Sequence, residues 1–355
     1  MRPAPPPPPP RDPYIFHASL PGYAPTPLLD LPELAVRCGV ERLWLKDESS
    51  RLGLPSFKIL GASWACYRAV AERMRLPPAD AGGIDDLRVK AAGEYTLLAA
   101  TDGNHGRAVA RVARWLGLDS RIFVPENMAQ RRIDAIAGEG AEVIVVRGAY
   151  DDAIAAAAAA ESSDREVLVS DMAWDGYQVV PNHVIDGYST IFREVDGQLP
   201  DGEAIDVVVV QVGVGALAAS VVQWTVSAPR GVTPKVVTVE PTDAACLRRS
   251  LENGFPTAAP PPHRSIMAGL NCGNVSSVAW PLLAAAVDVA LTVDDETTSA
   301  AVAAMEALGL HAGATGAAGV AGLFRLAHDP ALDEDRRALG RHGLRVLALV
   351  TEGRT

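Results

Sequence analysis

Asp206-Val207-Val208-Val209-Val210-Gln211-Val212-Gly213-Val214-Gly215-Ala216-Leu217 is the stretch from which the architecture follows. Four successive valines make a strand that is apolar on both faces, as in sheets covered on two sides. Gly213 and Gly215 then allow a tight turn, and residues 216–227 read as a helix. Strand, turn and helix in that order form the building unit of a parallel α/β sheet. Backbone N–H groups at such a junction can also hold an anion beside the positive end of the helix, with no basic side chain. A tight packing turn accounts for two glycines equally well, and the full dinucleotide-binding spacing is missing.

The pattern recurs outward from there. Apolar runs of strand length at 42–47, 95–101, 121–125, 142–146, 166–171, 205–212, 235–240, 289–293 and 344–351 alternate with helical stretches. The helices are expected at 57–75, 105–116, 129–137, 149–162, 177–195, 216–227, 243–253, 296–308 and 315–327. This predicts an α/β fold of two lobes, each a mostly parallel twisted sheet flanked by helices. Hinges are expected near 53–56 and 187–190, and the proline-rich segment 257–263 reads as a loop. Ligands of open α/β sheets sit beyond the carboxyl ends of the strands, so polar residues just after apolar strands are candidates for function.

Composition narrows the function classes. At 355 residues and 48% hydrophobic content the chain can bury the cores of about two domains. A formal charge of -11 disfavours nucleic acid and anionic membranes and leaves small molecules as partners. The alanine run 153–160, broken by Ile154, is a helix too short to span a membrane, which takes about 20 apolar residues. The proline tract 1–13 lacks an apolar core, so it is expected to be disordered, neither a secretory signal nor an anchor. No appended regulatory domain is expected after the last strand.

Cys38, Cys66, Cys246 and Cys272 show no C-x-x-C spacing, which argues against a metal cluster or disulfide scaffold and fits a reducing cytoplasm. A reversible bridge between Cys246 and Cys272 is conceivable; buried free thiols fit better.

Four segments carry chemistry. Pro55-Ser56-Phe57-Lys58-Ile59-Leu60-Gly61-Ala62-Ser63 places one lysine in an apolar helix start. Burial there would lower its pKa and leave a nucleophilic amine able to form a Schiff base; a lysine whose stem packs while its head reaches water fits the same residues. Thr101-Asp102-Gly103-Asn104-His105-Gly106 follows a strand, where Asn104 suits a helix cap or a donor to a ligand oxygen and His105 reads as structural. Ser170-Asp171-Met172-Ala173-Trp174-Asp175-Gly176-Tyr177 puts a carboxylate at another strand end, which suits an N-cap or a catalytic acid or base. Thr351-Glu352-Gly353 places a hydroxyl after the last strand, where it can face a heteroaromatic nitrogen.

Together these stretches, with Ile266-Met267-Ala268-Gly269-Leu270-Asn271-Cys272-Gly273, resemble the fold type II (tryptophan synthase β-like) pyridoxal phosphate enzymes over residues 42–353. Within that superfamily the string Thr101 to Gly106 resembles the ammonia-lyase branch that acts on 2,3-diaminopropionate, because dehydratases usually carry a small or hydroxyl residue where Asp102 stands. Pro55-Ser56 departs from the Asn-Ala that the resemblance leads one to expect.

The resemblance implies pyridoxal 5'-phosphate as cofactor, held covalently by Lys58, with no metal. It implies Asp102 and Asp171 as proton acceptors on opposite faces of the substrate, or as anionic partners of its β-ammonium. The cofactor would be bound by Phe57 and Lys58, by Asn104 at the phenolic oxygen, by Gly213, Val214, Gly215, Ala216 and Leu217 at the phosphate, and by Thr351 at the ring nitrogen. The implied reaction is elimination of 2,3-diaminopropionate to pyruvate and ammonia, by a homodimer in the cytoplasm on a small amino-acid substrate. Rival readings are a serine or threonine dehydratase-like or β-replacement enzyme, and a non-catalytic amino-acid-binding homologue. The expected division is 14–54 with 190–355 as the large cofactor-binding domain and 55–189 as the small domain carrying the Asn104 loop.

Overall fold

The computed structural model describes residues 12–77, 82–101, 103–148, 150–227, 231–340 and 343–354. Its strands are β1 (Leu28–Asp30), β2 (Arg42–Asp47), β3 (Thr96–Ala100), β4 (Asp119–Pro125), β5 (Glu142–Val146), β6 (Glu166–Leu168), β7 (Val207–Gln211), β8 (Lys235–Pro241), β9 (Val287–Val293) and β10 (Arg345–Val350). They form a six-stranded sheet in the order β1-β2-β10-β7-β8-β9 and a four-stranded sheet in the order β5-β4-β3-β6. Every pairing is parallel except β1 with β2, where Leu28 sits opposite Lys46. The α/β fold expected from the alternating pattern is therefore present.

The chain divides into two compact units. One comprises 24–57 and 188–355 with the six-stranded sheet; the other holds 12–23 and 58–187 with the four-stranded sheet. Valines 207–210 of β7 are all buried, as a strand covered on both faces requires. In the first unit the core gathers Val207, Val209, Val237, Val289, Val346 and Ala348 from the sheet with Ala317, Ala321 and Leu323 from the helix Ala314–His328. In the second, Leu98, Ala100, Phe123 and Leu168 pack on Ala153 and Ala157 of the alanine-rich helix.

The boundary at the start differs from the expected one. Residues 12–23 belong with the second unit, where His17 Nε2 lies 3.0 Å from the Leu60 carbonyl and the Phe16 ring lies 4.6 Å from that of Tyr67. Of the start expected to be disordered, residues 1–11 lie outside the described residues. Asp12 and Pro13 are ordered: Asp12 accepts a hydrogen bond from Tyr14 N–H, and Pro13 opens the helix Pro13–Ala18. The helices Pro32–Cys38, Ile84–Ala91, Trp280–Ala286 and Asp333–Leu339 were not anticipated, being only about two turns long. Strand β1, of three residues, is too short to show alternation.

A buried ionic network lies in the first unit. Lys46 Nζ sits 2.6 Å from Glu194, Arg51 donates to Glu194 at 2.7 Å, and a further Arg51 nitrogen approaches Glu48 to 2.5 Å. Two cations and two anions thus balance among side chains that are all fully buried or nearly so. The network ties β2 to the helix Val179–Gln198 and anchors the turn from Arg51 to Leu54, three residues before Phe57.

Candidate active site

In the second unit, β6 ends at Leu168 and the chain runs on to Asp171, while Lys58 is the first residue of the helix Lys58–Arg73. Lys58 Nζ donates to Asp171 Oδ2 at 2.6 Å, the lysine side chain 21% exposed and the aspartate 6%. Burial alone would push the Asp171 carboxyl up, but the Lys58 ammonium outweighs it and, with His105, holds the group at about 2 against an ordinary 3.8. Lys58 is therefore not an isolated amine in an apolar pocket. It is charge-paired and partly accessible, because a carboxylate 113 residues away meets it, which local sequence could not show. Nor is Asp171 a helix cap: no helix starts beside it, and the next begins at Val179.

The Asn104 loop belongs to the same unit. Gly103, with φ +154, holds the cap position, and Asn104 is the first helical residue of Asn104–Leu116, so the expected capping role is not realised. Among the described residues the half-buried Asn104 amide has no hydrogen-bond partner, which leaves it able to donate to a ligand. Gly103 N–H and Gly106 N–H both donate to Thr101 Oγ1, at 2.9 and 3.0 Å, which shapes the turn. Asp102 lies outside the described residues. His105 is buried and its Nε2 meets the Val169 carbonyl at 2.9 Å, two residues before Asp171.

The first unit supplies the remaining candidates. Gly213 to Gly215 follow β7, and Gly215, at φ +97, occupies the cap of the helix Ala216–Val226 with no side chain capping it. A Cβ at Gly213 would lie 3.1 Å from the Gly269 carbonyl and 3.2 Å from Cys272 Sγ, a tight approach that a side chain could make only if these neighbours gave by a few tenths of an ångström. Uncapped N–H groups of a helix start, in a loop of buried Val214, Ala216 and Leu217, are donors suited to an anion. Cys246 and Cys272 border this loop as buried free thiols, and burial pushes the Cys246 thiol up.

Thr351 follows β10, where its Oγ1 accepts from Gln211 Nε2 at 2.8 Å. Its hydroxyl hydrogen has only a long contact, 3.4 Å, to the Thr315 carbonyl and remains available for a heteroaromatic nitrogen. The residues before Lys58 are fastened to the same strand end: Ser56 pairs with Glu352, Phe57 N–H reaches the Thr351 carbonyl at 3.4 Å, and Gly353 N–H donates to the Pro55 carbonyl at 2.9 Å. The Phe57 ring packs on Tyr188 at 4.7 Å.

Structure thus joins Lys58 with Asp171 in one unit, and Phe57, Thr351 and the strand leading to Gly213 in the other. Sequence reasoning missed Gln211, whose amide nitrogen bridges Thr351 Oγ1 to the Thr315, Gly316 and Leu349 carbonyls while its buried Oε1 has no partner among the described residues. The signal was a lone amide closing an all-valine strand. Each unit by itself carries donors that fit part of a phosphorylated heteroaromatic aldehyde: one has the Lys58 amine and the Asn104 amide, the other the uncapped amides suited to a phosphate and the Thr351 hydroxyl.

Known proteins agree. The chain is 33% identical over 351 residues to diaminopropionate ammonia-lyase of Escherichia coli K12, spanning 96% of this chain and 87% of the relative. It superposes on the crystal structure of diaminopropionate ammonia lyase from Escherichia coli in complex with D-serine with TM-score 0.87 and 32% identity, covering 96% of this chain and 87% of that one. A biosynthetic L-threonine dehydratase of Haemophilus influenzae is 31% identical over 300 residues, 84% of this chain and 52% of the relative. Residues 19–341 match the family described as pyridoxal-phosphate dependent enzyme. With its donor set and this match over most of its length, the chain belongs to the pyridoxal-phosphate dependent enzymes and takes pyridoxal 5'-phosphate as its cofactor.

Proposed function

We propose that the protein eliminates the β-amino group of 2,3-diaminopropionate and, with water, yields pyruvate and two molecules of ammonia. The observation that carries this reading is the 2.6 Å pairing of Lys58 with Asp171, in a chain so similar along its length to an ammonia-lyase acting on that diamino acid. When bound, the cofactor supplies an electron sink for the bond broken at the substrate Cα.

Lys58 would hold the cofactor through its aldehyde carbon, and its amine is placed to move protons beside Asp171. Asp171, ionised at all working pH, accepts the Cα proton from one face; Asp102 serves the opposite face or holds the leaving ammonium. Two carboxylates suit a substrate that carries two amino groups. Gly213, Val214, Gly215, Ala216 and Leu217 bind the phosphate through main-chain N–H groups. Asn104 donates to the phenolic oxygen, and Phe57 fixes the peptide that presents Lys58. Thr351 donates its hydroxyl to the ring nitrogen, which keeps that nitrogen unprotonated and favours elimination over chemistry needing a stronger sink. The protein acts on this small amino acid as a homodimer in the cytoplasm, which sedimentation and fractionation test.

Pyruvate release from both isomers of diaminopropionate, beside serine and threonine, tests the reading. Diaminopropionate should be consumed at least about 100-fold faster than the hydroxy amino acids, the margin expected when a site built for a polar group meets another. Faster turnover of serine or threonine would make it a dehydratase. Lys58→Ala should lose the visible absorbance of the holoenzyme and more than about 1000-fold in rate.

A further inference from the structure

We propose that Tyr177 and His105 are positioning residues that together hold Asp171 against Lys58; the inference builds on the role given to Asp171 above. β6 pairs with β3 only as far as Leu168, so the backbone groups that follow need other partners. Val169 N–H still reaches the Leu98 carbonyl at 2.8 Å. The Tyr177 hydroxyl then serves both sides of the next peptides: it donates to the Leu168 carbonyl at 2.8 Å and accepts from Ser170 N–H at 3.0 Å. Between those contacts, the Val169 carbonyl meets His105 Nε2 at 2.9 Å. A carbonyl only accepts, so Nε2 carries the proton, and the buried Nδ1 has no partner among the described residues.

Tyr177 is itself held in place. Its ring stacks on Trp174 with centroids 4.4 Å apart and an interplanar angle of 17°. The two residues exchange backbone hydrogen bonds, Trp174 N–H to the Tyr177 carbonyl at 3.3 Å and Tyr177 N–H to the Trp174 carbonyl at 2.9 Å. Gly176, at φ +87, makes the turn between them. The segment from Leu168 to Tyr177 is thereby a loop closed by one phenol, with Asp171 inside it. Met172 N–H on Ser170 Oγ, at 3.1 Å, tightens the same turn. The phenol and the imidazole bond the backbone of residues 168–170, so they act on Asp171 through its placement.

The test uses the holoenzyme and four variants. Tyr177→Phe keeps the stacked ring and removes both hydroxyl contacts. Amide hydrogen exchange in 168–171 should rise about 10-fold or more while the helix Lys58–Arg73 keeps its protection. The isomer whose turnover Asp171→Asn abolishes should slow by about 100-fold, as a 1 Å misplacement does, with the other isomer within about two-fold of wild type. His105→Ala should act in the same direction and His105→Gln, which retains a donor, should recover most of the loss. Unchanged exchange in Tyr177→Phe, or equal slowing of both isomers, overturns the proposal. If Asp171→Asn fails to separate the isomers, the proton-acceptor role given to Asp171 falls, and the exchange of 168–171 alone decides the clamp.

Discussion

Asp171 shows how one residue's chemistry is set by its neighbours. Its folded pKa, about 2, lies below the ordinary 3.8, so the ionised form is the one that folding favours. The stability it contributes is complete above about pH 4 and is lost as pH falls through about 2. Thermal melts should therefore find Asp171→Asn less stable than wild type at neutral pH, with the gap closing between about pH 4 and pH 2. A gap that stays constant down to pH 2 would mean that the ion pair with Lys58 contributes nothing. From sequence the two residues were separate suspects, each with an ordinary alternative; the pairing needs the fold, since 113 positions separate them.

At the scale of elements, two arrangements keep the site's supports in register. Glu194, on the helix Val179–Gln198, is the shared anion of Lys46 and Arg51. Burial would raise its pKa, yet the Arg51 and Lys46 contacts outweigh that and hold it down. Glu194→Gln should cost about 3–5 kcal/mol in urea unfolding, because two buried cations lose a counter-charge. Gly316, in the helix Ala314–His328, is the second arrangement: a Cβ there would stand 2.1 Å from the Glu352 carbonyl oxygen. Gly316→Ala should destabilise by about 1–3 kcal/mol through overpacking. It should also lower cofactor occupancy, measured by absorbance, since the backbone it displaces carries Thr351. The long strands and helices were readable because their apolar period persists over many residues. Short helices such as Ile84–Ala91 were not, since two turns carry too few apolar positions to mark a face.

For the whole molecule, cofactor binding and folding are linked. Removing pyridoxal phosphate should lower the melting midpoint and its return restore it; ligand at 100 times its dissociation constant contributes about 2.7 kcal/mol to the folded state. An unchanged melt would place the cofactor's contacts outside the folded framework. What the amino-acid order determined unaided was the α/β class, the parallel sheets and the loops that bear the site, because valine runs, glycine turns and helical periods are local properties. The pairing of Lys58 with Asp171, the Gln211 bridge behind Thr351 and the Tyr177 clamp were decided only by tertiary structure. Each joins groups from different elements, and a hydrogen bond depends on distance in space, which chain position does not encode.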